Sequence, residues 1–313
     1  MPFPISGLHH VTATVDEAQP DLDFCTRALG LRLVKKTVNF DNHHVYHFYY
    51  GDEHGTPGTI WTTFPYHGRG VRIGTKGAGQ VTVTSLSVPA GALEFWTRRL
   101  MDHRIPVAPA EPRFGEESII ATDPSGLLIE LVATDGDTRG GWERGGIDAD
   151  YAVRGLHSVS MTLRAPDATL GFMSEWLGFS VTDEAADRVR VGINGGGPGQ
   201  QIDLIRAPGA PPAMNGIGTV HHVAMAVDDD ATQRQLRDAL IERGVRVTPV
   251  MDRQYFQSIY FREPGGVLCE VATRRPGFAV DEALDELGRS LKLPPWEEPH
   301  RGEIEAGLTP VRY

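Results

Sequence analysis

The chain is 313 residues long, 40% hydrophobic and 23% charged, with a formal net charge of -11 at pH 7. That length suits two domains of ordinary size, each with its own core, and the acidic balance disfavours a polyanion-binding surface and so nucleic acid as a partner. No apolar run is long enough to span a bilayer and no basic, apolar leader opens the sequence, while the two cysteines, Cys25 and Cys269, offer neither a disulfide framework nor a CxxC zinc site, so a reducing cytoplasm without membrane attachment is the expected setting.

The first predicted strand, Gly7 to Val15 (GLHHVTATV), opens on a double histidine. A helical pattern follows around Leu22, Phe24, Ala28 and Leu29 and is stopped by Gly30. Strand-like runs then occupy Leu33 to Asn39 and His44 to Tyr50, before a Gly55-Thr56-Pro57-Gly58 turn and a last strand from Thr59 to Phe64. The order repeats from Gln80 (QVTVTSLSV), through a helix carrying Leu93, Phe95, Trp96 and Leu100, to a turn at Asp123-Pro124-Ser125-Gly126 and a strand from Leu127 to Val132. A Gly-rich, charged stretch from Arg139 to Arg154 reads as the connection between halves. The third unit opens at Leu156 (LHSVSMTL), ends its helix at Trp176-Leu177-Gly178 and carries a Gly-rich turn from Gly195 to Gly199. The fourth opens at Thr219 to Val227 (TVHHVAMAV), ends its helix at Gly244, and turns at Pro264-Gly265-Gly266 into a strand from Val267 to Ala272. From Arg274 the chain leaves the repeat. There the spacing predicts a helix over Val280 to Leu291 and a Pro/Trp-rich segment, Leu293 to Trp296, packed as a lid or across a neighbour.

Each unit reads strand, helix, then three strands, and such a repeat decides the fold before any motif does. The class is α+β: four βαβββ units in two half-open barrel domains, resembling the vicinal-oxygen-chelate (glyoxalase-like) architecture. The expected organisation is residues 1–138 as one pair of units, 139–154 as the connection, 155–273 as the second pair, and 274–313 as a C-terminal extension. Sheet edges in such an architecture make a homo-oligomer the expected assembly.

Aligning the four opening strands puts His10, Val83, Ser158 and His222 at one equivalent position. Side chains alternate between the faces of a strand, so His10 shares its face with Thr12 and Thr14, a small and polar surface suited to the floor of a cup. His9 and His221 start on the opposite, more apolar phase. Counting six residues from the turn proline reaches Thr63, Glu130 and Glu270 in units 1, 2 and 4. Units 1 and 4 thus offer His10, His222 and Glu270, with Thr63 at a fourth corner, and they must pair across the chain to do so. Two imidazoles and one carboxylate with open positions is the ligand set of non-haem Fe(II) oxygenases, with Mn(II) as the competing ion. Units 2 and 3 offer Glu130 with only Val83 and Ser158, so no second metal site is expected there. Cys269 is read as packing, and His43, His44, His47, His54 and His67 have no repeat partner that would make them ligands.

The run Asp252-Arg253-Gln254-Tyr255-Phe256-Gln257-Ser258-Ile259-Tyr260-Phe261, with Pro264-Gly265-Gly266-Val267 and Glu270, resembles the hydroquinone ring-cleaving dioxygenases of the 2,6-dichlorohydroquinone 1,2-dioxygenase type. The likeness extends to the opening HH strand, Tyr46-His47-Phe48-Tyr49-Tyr50, Gly55 to Thr59, Arg113-Phe114-Gly115 and Gly277-Phe278. It implies Fe(II) on His10, His222 and Glu270, with Tyr260, Arg253, His9 and His221 as the catalytic groups around it. It also implies O2 and a small aromatic diol, of hydroquinone or catechol type, as the partners of the reaction. A histidine there can act as general base and then acid, while the tyrosine and arginine stabilise charge developing on oxygen. A glyoxalase-type metal-dependent isomerase or lyase, and a non-catalytic quinone- or drug-binding protein of the same fold, stand as alternatives.

Overall fold

The computed structural model describes residues 5–143 and 146–313. Residues 144–145 of the expected connection lie outside the described residues.

Unit 1 comprises β1 (Gly7–Val15), α1 (Ala18–Asp23) continuing into a π-type turn (Phe24–Ala28), β2 (Arg32–Asn39), β3 (Asn42–Gly51) and β4 (Ile60–Pro65). Unit 2 has β5 (Gln80–Val88), α2 (Leu93–Asp102), β6 (Val107–Pro109), β7 (Glu117–Thr122) and β8 (Leu128–Ala133). Unit 3 has β9 (Gly155–Leu163), α3 (Asp167–Trp176), β10 (Ser180–Ala185), β11 (Arg188–Gly192) and β12 (Gln201–Arg206). Unit 4 has β13 (Thr219–Val227), α4 (Asp230–Glu242), β14 (Met251–Asp252), β15 (Phe256–Arg262) and β16 (Leu268–Pro276). The signals that end these elements are local. Asp229 caps α4 by accepting from the Thr232 backbone N–H at 2.8 Å, and Gly244 follows the helix with a φ of 83°.

The strands form two eight-stranded sheets, ordered β14-β15-β16-β13-β1-β4-β3-β2 and β10-β11-β12-β9-β5-β8-β7-β6. Units 1 and 4 share the first sheet and units 2 and 3 the second, so the outer units pair across the chain as the metal argument requires. At the centre of each sheet the opening strands lie antiparallel, β1 on β13 and β5 on β9, each flanked by the parallel last strand of its own unit. The apolar phase of these strands is buried under the helices, in a core that includes Val11, Ala13, Leu22, Trp96, Met161, Met225 and Leu240. Both faces of β1 are buried, one beneath the helices and the other in the cup. Gly7, at the start of β1, has a φ of 145°, and a Cβ there would lie 2.8 Å from the Gly199 carbonyl oxygen, so only glycine fits where the sheets meet. The connection between halves also ties the sheets together. Arg139 donates to the carbonyls of Gly58 and Leu156, both at 2.7 Å.

The extension departs from expectation. Instead of a helix over Val280 to Leu291, it makes 3-10 turns at Phe278–Val280 and Leu284–Glu286. The Lys35 amine, fully buried, reaches Asp281 and Glu282 at 2.5 Å each. Ser290 donates to Glu282, Gly288 takes a φ of 80°, and Leu291 bridges to Lys36 on the edge strand β2. Anchoring by a buried amine and pairing with a sheet edge replace the helical bonds. The extension's helix is instead α5 (Arg301–Gly307), too short to show a period, with Ile304 as its buried residue. Trp296 packs edge-on against Phe40 of the same chain, ring centres 5.6 Å apart. Among the described residues no helix is long and apolar enough to cross a membrane.

Under the first sheet, Asp21 of α1 accepts hydrogen bonds from Thr63 (2.6 Å) and Tyr50 (2.8 Å). Burial pushes its carboxyl up to about 7, against the pull of those two bonds. A folded value above the unfolded one means a stabilising contribution that is full below the unfolded value, near 3.8, and lost as pH rises through about 7. Asp21→Asn is therefore expected to flatten the stability profile across that window. At pH 8 it should be more stable than the parent by on the order of 2 kcal/mol, measured by urea unfolding at pH 5 and pH 8.

Candidate metal centre

The site is built where β1 meets β13, and the ladder there is not regular. Leu8 pairs with Met225 but His10 with Ala224, so His9 is an extra residue in β1. Likewise Thr12 pairs with His222 and Ala13 with Val220, which leaves His221 extra in β13. Each leading histidine is thus a bulge residue, and each bulge re-aims the histidine that follows it. The second sheet slips at the same places, at Thr82 and His157, which puts Val83 and Ser158 where His10 and His222 stand.

His10 and His222 point into the cup and converge on Glu270 of β16. The two Nε2 atoms are 3.2 Å apart, and Glu270 Oε2 lies 3.3 Å from His10 Nε2 and 2.8 Å from His222 Nε2. Ligand atoms about 2.1 Å from one shared ion, at right angles, are about 3.0 Å apart, so this triangle fits an ion seated on its open side. Glu270 is fully buried and its Oε2 has no hydrogen-bond partner, while Oε1 accepts from Ser258 at 2.5 Å. Burial acts to raise the carboxyl, but the facing imidazoles of His10 and His222 outweigh it and hold it well below its usual range. A buried carboxylate with one free oxygen facing two imidazole nitrogens is a donor set with room for a cation. The three residues are all buried, and Glu130, by contrast, has no imidazole at the equivalent positions.

The partners of the leading histidines assign the ring protons. His9 Nε2 lies 3.2 Å from the Thr273 carbonyl, which can only accept, and His9 Nδ1 lies 2.8 Å from His10 Nδ1. His9 therefore donates through Nε2 and accepts through Nδ1, His10 carries its proton on Nδ1, and the His10 Nε2 lone pair faces the centre. His221 repeats the Nδ1 contact, 2.8 Å from His222 Nδ1, and lines the cavity; a His222 Nε2 lone pair turned to the centre requires the proton on His222 Nδ1 and leaves that of His221 on Nε2. Burial first, then the neighbouring imidazole, lowers both His9 and His221 to about 3, which keeps them neutral.

Above the triangle opens a cavity of about 470 Å³. Phe40, Tyr49, Phe64, Met251, Phe256 and Leu268 give it apolar and aromatic walls, and His47, His221, Arg253 and Tyr260 supply polar groups. Tyr260 sits beside Glu270 in the β15–β16 ladder, and Arg253 Nε donates to its hydroxyl at 3.2 Å. Arg253 is held by the turn between β14 and β15, where Gln254 has a φ of 64° and its N–H donates to Asp252 at 2.7 Å. Its guanidinium also reaches Asp41 on the β2–β3 turn at 3.0 Å, so the two edges of the curled sheet meet across the mouth.

Four expected groups, His221, Arg253, Tyr260 and the ligand triangle, therefore gather at one cavity. His9 does not reach it, being sealed between Thr273, His10 and Phe256. Thr63 is not the fourth corner either. It lies on the helix side, bound to Asp21, and Thr62 stands across from Thr12 as Glu270 stands across from Ala224. The turn after Pro57 is one residue shorter than those after Pro124 and Pro264, so the count from proline overshoots in unit 1. His47 and Tyr49 are cavity residues that spacing did not single out. Their signal was the phase of β3, where Tyr49 pairs with Thr62 as Tyr260 pairs with Glu270.

In the second sheet the corresponding cup keeps a cavity of about 390 Å³, but buried ion pairs take the place of the ligand set. Asp203 accepts from Arg190 (2.7 Å) and Arg188 (2.8 Å), and Arg113 bridges Asp203 and Glu130. The Arg113-Phe114-Gly115 run belongs to this cluster, with the Arg190 guanidinium 4.6 Å from the Phe114 ring centre.

Comparison with known proteins bears on these features. "Putative ring-cleaving dioxygenase MhqO" of Bacillus subtilis is 43% identical over 304 residues, which cover 97% of this chain and 96% of the relative. The "Chlorohydroquinone/hydroquinone 1,2-dioxygenase" of Sphingobium indicum is 34% identical over 312 residues, covering 97% and 96%. A crystal structure of a "putative dioxygenase" from Bacillus subtilis superposes with a TM-score of 0.94 at 42% identity, over 99% of this chain and 98% of that one. The model of the Glyoxalase/Bleomycin resistance protein/Dioxygenase superfamily matches residues 7–131 and 155–271, and the chain belongs to that superfamily.

Proposed function

We propose that the chain is a non-haem Fe(II)-dependent dioxygenase that opens the ring of a hydroquinone- or catechol-type diol, with both atoms of O2 entering the product. The observation that carries the reading is the buried triangle of His10, His222 and Glu270, with a free carboxylate oxygen, under an aromatic-walled cavity. The names of the relatives support the same chemistry. His10, His222 and Glu270 would hold the ion; Mn(II) suits the same donors. Fe(II) supplies the redox chemistry that lets dioxygen react with a closed-shell ring.

The protein's own groups do the rest. His9, through Thr273, fixes the tautomer of His10, and His221 does the same for His222 while presenting an N–H to the cavity. The aromatic walls orient a flat ring and exclude water. Tyr260, whose hydroxyl is raised by burial and by the Glu270 charge, stays protonated and donates to an oxygen of the substrate. Arg253 keeps that hydroxyl in place and adds positive charge where negative charge develops on oxygen. Tyr260→Phe is expected to lower kcat about 10- to 100-fold with a smaller change in KM, read from initial rates.

The direct test loads the protein with Fe(II) under argon and follows oxygen uptake with methylhydroquinone, chlorohydroquinone and catechol. Uptake equal to diol consumed is expected, and uptake should vanish in His222→Ala. Iron retention without uptake on any diol would favour a glyoxalase-type isomerase or lyase. A chain that keeps no metal would be a binding protein of the same fold. The negative charge and the aromatic-walled cavity suit a small neutral ligand in the cytoplasm rather than nucleic acid or a membrane.

A further inference from the structure

One imidazole in the cavity holds no metal and supports no ligand. His47 stands on β3, and its Nε2 lies 2.8 Å from Thr62 Oγ1. The Thr62 hydroxyl gives its proton to Thr12 Oγ1, at 2.9 Å, so it accepts from His47 Nε2–H. That fixes the tautomer: His47 Nδ1 carries a lone pair. The rings of Tyr49 and Phe64 flank the imidazole, with centres 4.0 and 4.2 Å away, and keep it from turning over.

The place of His47 follows from the symmetry of the two units. In unit 4, Glu270 is supported by the Ser258 hydroxyl, and the same pairing recurs in unit 2, where Ser118 donates to Glu130 at 2.7 Å. In unit 1 the carboxylate is replaced by Thr62 and the serine by His47. The wall opposite Glu270 thus carries a hydrogen-bond acceptor where its counterpart carries a ligand and its support. Most other polar groups lining the cavity are engaged: Arg253 holds the Tyr260 hydroxyl and Asp41, and Asn39 holds the Tyr66 hydroxyl and the Asp41 N–H, while Tyr49, which also carries a hydroxyl, lies beside His47. Burial holds His47 well below its usual value, which favours the neutral ring that the Thr62 contact requires.

We propose that His47 Nδ1 accepts a hydrogen bond from the second hydroxyl of the ring substrate and so makes the site select a diol over the matching monoether. The inference rests on the dioxygenase reading. A ring whose one oxygen faces the metal offers its other hydroxyl to the opposite wall, and a methoxy group there has no proton to give.

The test measures anaerobic binding of hydroquinone and 4-methoxyphenol to the Fe(II)-loaded protein, with iron content and circular dichroism checked for every variant. The parent should prefer hydroquinone by ~10-fold or more. His47→Phe should weaken hydroquinone by ~10-fold and change 4-methoxyphenol less than about twofold; His47→Gln, which keeps a donor and an acceptor, should recover part of the loss. Equal weakening of both ligands in His47→Phe and His47→Gln, or no weakening of hydroquinone in either, would overturn the assignment. A parent protein that binds both phenols equally sinks this inference alone. One that keeps iron but binds neither sinks the dioxygenase reading, and this inference with it.

Discussion

Replacing Glu270 with alanine is expected to abolish metal retention and oxygen uptake together. Its Oε2 sits between the two imidazole nitrogens and is the one charged donor in the triangle. Two neutral imidazoles alone leave an ion with neither charge balance nor a third anchor. The loss should exceed the ~10- to 100-fold that removing a partner of a ligand typically costs. Metal content after dialysis, with oxygen uptake on the same samples, reads both effects. Glu130→Ala is the matched control, because the repeat gives Glu130 an equivalent position but no histidines, and its iron content should equal the parent's.

Asp203→Asn should do the opposite, costing stability and sparing the metal. Asp203 is fully buried and receives Arg190 at 2.7 and 3.1 Å, Arg188 at 2.8 Å and Arg113 at 3.3 Å. An amide of the same shape leaves three guanidinium groups facing a neutral partner. Breaking a buried charge network from one side costs about 3–5 kcal/mol. The pH dependence has a definite sign. Burial acts to raise Asp203, but hydrogen bonds and charge from Arg190, then Arg188, hold it below its usual value. Glu116, beside His157 and Arg190, is lowered to about 2 against the same effect of burial. Groups lowered in the folded state stabilise above their unfolded values and lose that contribution as pH falls through the folded ones. The parent should therefore lose stability from about pH 4.5 down towards pH 2, and Asp203→Asn should lose less across that window, as acid titration by circular dichroism would report.

The repeat made the fold legible. Strand, helix and three strands in the same order four times leave little choice of architecture, and strand phase and the repeat alignment bring His10, His222 and Glu270 to one place, where the structure also gathers them. What escaped the sequence was whatever breaks a period by one residue. The bulges at His9 and His221 are such breaks, invisible to alternation, and they decide that His221 reaches the cavity while His9 props His10 from behind. Thr63 was displaced by Thr62 because one turn is a residue shorter than its counterparts. His47 was passed over because its unit 4 counterpart is Ser258, and a repeat argument that looks for matching ligands discards a position where the units differ. The extension failed for another reason. A buried lysine and a sheet edge, both distant in sequence, override the helical spacing of Val280 to Leu291.

Ring cleavage by dioxygen is read most directly from a single turnover of Fe(II)-loaded protein with methylhydroquinone under isotopically heavy oxygen, quenched with borohydride so that no aldehyde oxygen exchanges with water. A ring-opened product carrying both heavy atoms is expected, formed by the parent and absent in Glu270→Ala. A product with one heavy atom or none, or an unopened quinone, would contradict it.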